Sequence, residues 1–177
     1  MNTLLTTILI GIGLSMDAFS LSFSYGTLNI NKKDRLILSS LVGLFHFFMP
    51  LLGLFVGNII LKYIIIDLDI LLAIIISLIG IEMIISSFKK EDNNLLISLL
   101  SFVLFGFSVS IDSFSVGIGL KGINNNYFEV SLIFSLCSFI FTYIGLLLGT
   151  KLNELVGKYA KTIGGIILIG LGIYYFL

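Results

Sequence analysis

The sequence predicts an all-α membrane protein, with six transmembrane helices arranged as two inverted three-helix repeats. Three observations predict it. Of the 177 residues, 58% are hydrophobic and only 11% are Asp, Glu, Lys or Arg, against roughly 25% charged in a soluble domain. The apolar residues fall into six runs, each long enough to cross a bilayer. A short acidic motif in the first run returns in the fourth. Ten basic and ten acidic residues cancel, so no charged field points to nucleic acid or another polyanion. This composition excludes a soluble globular domain, a disordered tail and a nucleic-acid binder. A single cysteine, Cys137, excludes an intramolecular disulfide and a Cys-based zinc cluster.

A spanning helix requires about 20 mostly apolar residues at 1.5 Å each. Such runs cover roughly 3–25, 36–60, 68–88, 95–119, 127–150 and 159–177. The first has no basic leader and is too long for a signal-peptide core, so it reads as a retained helix. Short polar links separate the runs: Asn29 to Arg35, Lys62 to Asp67, Lys89 to Asn94, Lys121 to Asn126, and Lys151 to Lys158. None is long enough to fold alone, so residues 1–177 form a single transmembrane domain, with repeat 1 at about 1–88 and repeat 2 at about 95–177. The first, third and fifth links and their flanks hold Lys32, Lys33, Arg35, Lys89, Lys90, Lys151, Lys158 and Lys161. The other two hold only Lys62 and Lys121. Basic residues favour the cytoplasmic side, so both termini are expected to face outward.

The repeat is carried by Ser15-Met16-Asp17-Ala18-Phe19-Ser20 in the first run and Ser110-Ile111-Asp112-Ser113-Phe114-Ser115 in the fourth. Gly53 and Gly57 in the second run are matched by Gly145 and Gly149 in the fifth, and Gly80 is loosely matched by Gly170. Three spans per unit is an odd number, so the second copy must enter from the opposite side. Secondary transporters share that architecture, with sites near the midplane at the repeat interface.

Asp17 and Asp112 fall at mirrored depths, each about 4–5 Å from the midplane. An acid at mid-helix costs about 2.5–3.5 kcal/mol on insertion scales, so something must offset it. Gly13, Asp17, Ser20 and Ser24 share one helical stripe, as do Ser108, Asp112, Ser115 and Gly119. If the stripes face each other, two carboxylates and several hydroxyls, with Ser20 and Ser115 as further donors, converge in the core. Such hard oxygen donors suit Mg, Ca or Mn. Without a cation, two carboxylates in low dielectric cannot both stay ionised and would hold a proton. One pair could therefore bind a metal ion or protons, as exchange requires. The alternative is that each Asp is a protonated, structural hydrogen-bonding group.

His46 is the only histidine. Pro50 lacks the N–H that would reach the His46 carbonyl. Irregular backbone at membrane depth is tolerated where it lines a protein-buried cavity. His46 is therefore a candidate third metal ligand, and imidazole would favour Mn, Fe or Zn over Ca or Mg; the alternative is a proline kink shaped for packing. Glu82 reads as an interfacial or salt-bridged residue. Cys137, Met16 and Met49 read as packing residues, and Asp67, Asp69 and Glu129 as solvated groups near the outer interface. Gly53 with Gly57 and Gly145 with Gly149 read as close helix contacts.

With these motifs in place, the chain resembles the MntP family of bacterial manganese efflux pumps. The resemblance rests on Gly13 to Ser20, on Gly43-Leu44-Phe45-His46 with Met49-Pro50-Leu51, and on Phe107 to Gly117. It implies a six-helix inner-membrane exporter with Asp17 and Asp112 in the transport path and Mn²⁺ as transported substrate rather than cofactor. The resemblance does not extend to an essential imidazole at position 46. The expected partners are a divalent cation and the lipid bilayer, with no nucleic acid; a homo-oligomer is left open.

No Walker motif is present, so ATP is not the direct fuel, and proton or membrane-potential coupling is expected. The competing classes are an intramembrane aspartyl protease, which lacks a supporting signature, a passive channel, a transporter of a different divalent cation, and a non-transporting scaffold.

Overall fold

A computed structural model describes residues 3–26, 30–60, 68–88, 99–119, 126–149 and 155–176. The described chain is all-helical: α1 (Thr3–Gly26), α2 (Lys32–Ile60), α3 (Leu68–Ser87), α4 (Leu99–Ser108), α5 (Ile111–Ile118), α6 (Tyr127–Gly149) and α7 (Leu155–Phe176). Among the described residues, four stretches are long and apolar enough to cross a bilayer: Leu4–Phe23, Lys32–Ile59, Leu99–Ile118 and Tyr127–Gly149. The third of these is the α4–α5 pair, and α3 and α7 complete six helical columns. The molecule is a multi-pass membrane protein.

Two boundaries depart from the sequence expectation. α2 begins at Lys32 instead of residue 36 because Asn31 caps it. The Asn31 Oδ1 accepts the Asp34 N–H at 2.9 Å, and the Asn31 amide donates to Asp34 Oδ2 at 2.7 Å. Such a reciprocal cap satisfies donors that the first turn leaves open. Asn126 and Glu129 repeat the device at the start of α6, at 3.1 and 3.4 Å. Glu129 is thus a capping residue. α7 begins at Leu155, so Lys158 and Lys161 lie in its first turns and not in a link.

The largest departure is in the fourth span, expected to be one continuous helix. It is interrupted at Val109 and Ser110. Val109 N–H still reaches Phe105 O at 3.0 Å, but Ser110 N–H turns to Phe107 O, three residues back, at 3.2 Å. Ser110 then adopts φ −106°, ψ 3°, in the sparsely populated bridge region. The local sequence permits the break. Ser and Asp side chains offer the backbone bonds that compete with the helix. Ser110 Oγ donates to Phe107 O at 3.0 Å, and Ser113 N–H donates to Asp112 Oδ1 at 2.7 Å.

Glycine and serine contacts set the packing. In α1 and α6, Gly11 lies against Phe134 and Cys137, and Ser15 bonds Ser138 at 3.1 Å. Further along, Phe19 O abuts Gly145 and Phe23 O abuts Gly149. Both helices advance together, so they run parallel. In α2 and α5, Phe114 O abuts Gly53 and Ile118 O abuts Gly57, again in parallel. Phe114 holds in its motif the place of Phe19, and Ile118 that of Phe23. α2 and α6 are antiparallel, with Gly43 against Ser135 and Phe139, and Phe47 against Phe128. It follows that α1 and α5 run in opposite directions. α3 and α7 cross antiparallel with reciprocal contacts: Gly80 meets Gly165 and Ile169, while Gly165 meets Gly80 and Ile84. The partner of Gly80 is therefore Gly165, and a methyl group at Gly170 would meet nothing within 4 Å.

The interior divides into two apolar clusters. One joins Ile10, Leu14, Ile76, Val116, Val130, Phe134, Leu168 and Leu171. The other joins Ala18, Tyr25, Ile30, Leu38, Val42, Phe102, Val109 and Leu146. In the second, the Tyr25 ring lies edge-on to Phe105 with centroids 4.8 Å apart. Such edge-to-face pairs contribute about 0.5–1.5 kcal/mol beyond their buried area.

Candidate functional site

A polar layer separates the two clusters. On α1, Leu14 belongs to one cluster and Ala18 to the other, with Asp17 between them. On the fourth span, Val109 and Val116 flank Asp112 in the same way. On α2, Val42 packs in one cluster and Leu54 against the other, with His46 between. On α6, Phe134 and Leu146 flank Ser138 and Thr142. Asp17, Asp112 and His46 therefore sit at one level of the bundle, with apolar side chains above and below.

Asp112 lies at the second position of α5, and its carboxylate accepts the Ser113 N–H. A negative charge at a helix N-terminus is favoured by the exposed N–H groups and the helix dipole, by about 0.3–1 kcal/mol when exposed and more when partly buried. The break thus holds an acid at membrane depth where a continuous helix offers no N–H. Around Asp17, by contrast, α1 runs unbroken. Asp17 and Asp112 are both half-buried.

His46 is fully buried. Its Nδ1 lies 3.0 Å from Val42 O. A carbonyl oxygen only accepts, so Nδ1 carries the hydrogen and Nε2 bears the lone pair. Nε2 is buried with no hydrogen-bond partner among the described residues. The backbone carbonyl thereby fixes the tautomer that leaves Nε2 able to bind a cation, as is usual for metal-binding histidines. Pro50, one turn on, lies against Gly117 of α5. Because α2 and α5 run parallel, His46 comes level with the start of α5.

The serine pair divides. Ser20 is buried, at 6% exposure. Ser115 is half-buried, and its hydroxyl donates to Ile111 O at 3.3 Å. Among the described residues, no three of His, Cys, Asp and Glu stand together as a metal cage. Nor do α1 and α5 form one of the principal helix contacts: α1 packs on α6 and α7, and α5 on α2. Gly13, on the Asp17 stripe, instead receives Leu168 of α7. Ser24, Asp69 and Glu82 have side chains outside the described residues, and Asp67 lies outside them altogether. Cys137 packs against Gly11, Met16 against the first cluster, and Met49 is buried.

Sequence reasoning missed four hydroxyls in this layer. Ser15 donates to Gly11 O and bonds Ser138. Ser113 and Thr142 are fully buried, and their oxygens have no hydrogen-bond partner among the described residues. Leaving a buried hydroxyl unpaired costs about 1–3 kcal/mol, so these oxygens have bonding capacity to offer. The signal was present: Ser138, Thr142, Gly145 and Gly149 form one helical stripe, with the spacing of His46, Pro50, Gly53 and Gly57.

The family profile described as "Mntp: Putative manganese efflux pump" matches residues 29–176. A Bacillus pumilus (strain SAFR-032) protein named "Putative manganese efflux pump MntP" is 35% identical over 171 residues, covering 96% of this chain and 93% of its own. The Bacillus velezensis (strain DSM 23117 / BGSC 10A6 / LMG 26770 / FZB42) protein of that name is 35% identical, covering 90% and 87%. That of Geobacillus thermodenitrificans (strain NG80-2) is 34% identical, covering 93% and 91%. No solved structure matches the chain. By both the profile and these relatives, the chain belongs to the MntP family, a family of transporters and not of enzymes.

Proposed function

We propose that the protein exports Mn²⁺ from the bacterial cytoplasm across the inner membrane by alternating access, with Asp17 and Asp112 binding the ion. The polar layer carries this reading: it brings two acids, a histidine and several hydroxyls to one level between two apolar seals. Carboxylate and hydroxyl oxygens accept a hard divalent cation, and the His46 Nε2 tilts the donor set toward Mn²⁺ over Mg²⁺ or Ca²⁺. Ser20 is a further oxygen donor, and so is Ser115, whose hydroxyl keeps its lone pairs while donating its hydrogen to Ile111 O. The names of the relatives support manganese as the substrate.

The two halves act as inverted repeats. The repeated glycine contacts, the reciprocal crossing of α3 and α7 and the opposed directions of α1 and α5 support this reading. Rocking one half against the other opens one apolar cluster while the other stays closed. On the outward side, protons replace the ion on the carboxylates, which returns the pair without two unpaired charges in low dielectric. The excess of basic residues on the odd links sets both termini outside.

Uptake of Mn²⁺ into inside-out vesicles tests the assignment, with and without a proton gradient. Gradient-dependent accumulation, lost in Asp17→Asn and Asp112→Asn, is expected. Folded wild-type protein that moves no Mn²⁺ under either condition would sink the manganese reading.

A further inference from the structure

The two Asp motifs have the same sequence pattern but different backbones. Ser15 and Ser110 hold the same place in their motifs, and each hydroxyl bonds back to its own helix: Ser15 to Gly11 O, Ser110 to Phe107 O. Phe19 and Phe114 carbonyls abut matching glycines, Gly145 and Gly53. Yet the helix is interrupted at Val109 and Ser110, while α1 runs unbroken through Leu14 and Ser15. Near-identical local chemistry with matched glycine contacts has therefore taken two conformations within one molecule.

The partners differ in a way that accounts for the asymmetry. On α6, Ser138 bonds Ser15 and steadies the unbroken motif. On α2 the stripe equivalent of Ser138 is His46, whose Nδ1 is committed to Val42 O. Ser110 has no such bond from α2 among the described residues; its hydroxyl turns to Phe107 O. Gly13, just before Leu14, weakens α1 at the matching point, since glycine costs about 1 kcal/mol in a helix interior relative to alanine.

Resting on the alternating-access reading above, we propose that the two motifs exchange conformations during the cycle. In the opposite-facing state α1 opens at Leu14 and Ser15, releasing the Ser15–Ser138 bond, while α4 and α5 join into one helix. The Ser113 N–H that now caps the Asp112 carboxylate is then withdrawn into the helix, and an equivalent N–H is freed beside Asp17. In each state the carboxylate beside the break gains the N–H donor that the break frees. The ion is thus passed between two half-sites whose electrostatics invert.

Hydrogen exchange of the full-length protein in lipid nanodiscs tests this, read over residues 12–17 and 107–112. Ser110→Ala favours a continuous fourth span, and Ile111→Pro, at the first helical position of α5, pins the break. Ser110→Ala should speed exchange at 12–17 by about twofold or more, the factor its gain in helix propensity yields. Ile111→Pro should slow the same segment. If residues 12–17 stay unchanged in both variants, or move in the other direction, the proposal is overturned. Mn²⁺ flux through the wild-type protein, measured in parallel, separates the two readings. Opposed exchange without Mn²⁺ flux removes manganese and keeps the swap; flux with an unresponsive α1 does the reverse.

Discussion

Asp112 and Asp17 are the same side chain at the same level, held by different means. Asp112 accepts an N–H at the start of α5, whereas Asp17 stands on an unbroken helix. Asp112→Asn keeps the acceptor oxygen that caps α5 and removes only the charge. It should leave thermal stability nearly unchanged while lowering Mn²⁺ uptake at least about tenfold, since changes even in a metal site's outer shell cost 10–100-fold. Uptake and melting of the same purified variant check this together. At His46, the fixed tautomer predicts a selectivity effect. His46→Gln retains polarity but replaces a nitrogen donor with a harder oxygen, so competition by Mg²⁺ against Mn²⁺ uptake should rise. Unchanged competition would leave His46 as a packing group. Ser138→Ala should cost about 1 kcal/mol of stability, the net worth of a typical hydrogen bond, measured by denaturation in detergent.

At the scale of the element, glycine decides where helices can approach. A methyl group on Gly53 would run into the backbone carbonyl of Phe114, whereas one on Gly170 would meet open space. Gly53→Ala should therefore push α2 and α5 apart and destabilise the fold by about 1–3 kcal/mol or more. Gly170→Ala should be neutral or slightly stabilising. The paired melting curves check the contrast, and equal effects would show that this packing does not govern stability. The reciprocal caps give a second element-scale expectation. Asn31→Ala should cost about 0.5–2 kcal/mol and fray the first turn of α2, read as faster amide exchange over residues 32–35. Helix existence was plain in the sequence because the need to satisfy backbone groups in lipid admits little else. The interruption at Val109 and Ser110 was not. An Asp-Ser motif reads alike in α1 and α5, and only neighbouring helices distinguish the outcomes.

Across the whole molecule, the two apolar clusters define what transport must accomplish. An ion bound in the polar layer, as proposed, would meet Leu14, Phe134 and Leu168 on one side, and Ala18, Tyr25, Val42 and Phe102 on the other. Thinning one seal should uncouple transport. Tyr25→Ala combined with Phe105→Ala should let preloaded vesicles leak Mn²⁺ down its gradient, while retention would place the barrier elsewhere. The orientation argument belongs to this scale too: reporters fused to either terminus should both read as external.

Some features of this protein followed from its sequence alone. Membrane class, the positions of the spans, the two carboxylates and the paired motifs all rest on local properties: run length, residue polarity and spacing along a helix. Lipid imposes those properties segment by segment, without reference to the rest of the fold. The tertiary structure alone decided which glycine meets which carbonyl, that Gly80 answers Gly165, and that Val42 fixes the His46 tautomer. It also revealed the hydroxyls of Ser15, Ser113, Ser138 and Thr142 in the acidic layer. Each depends on residues distant in the chain arriving within a few ångströms, and the interruption of one Asp motif beside the continuity of the other is settled by those neighbours.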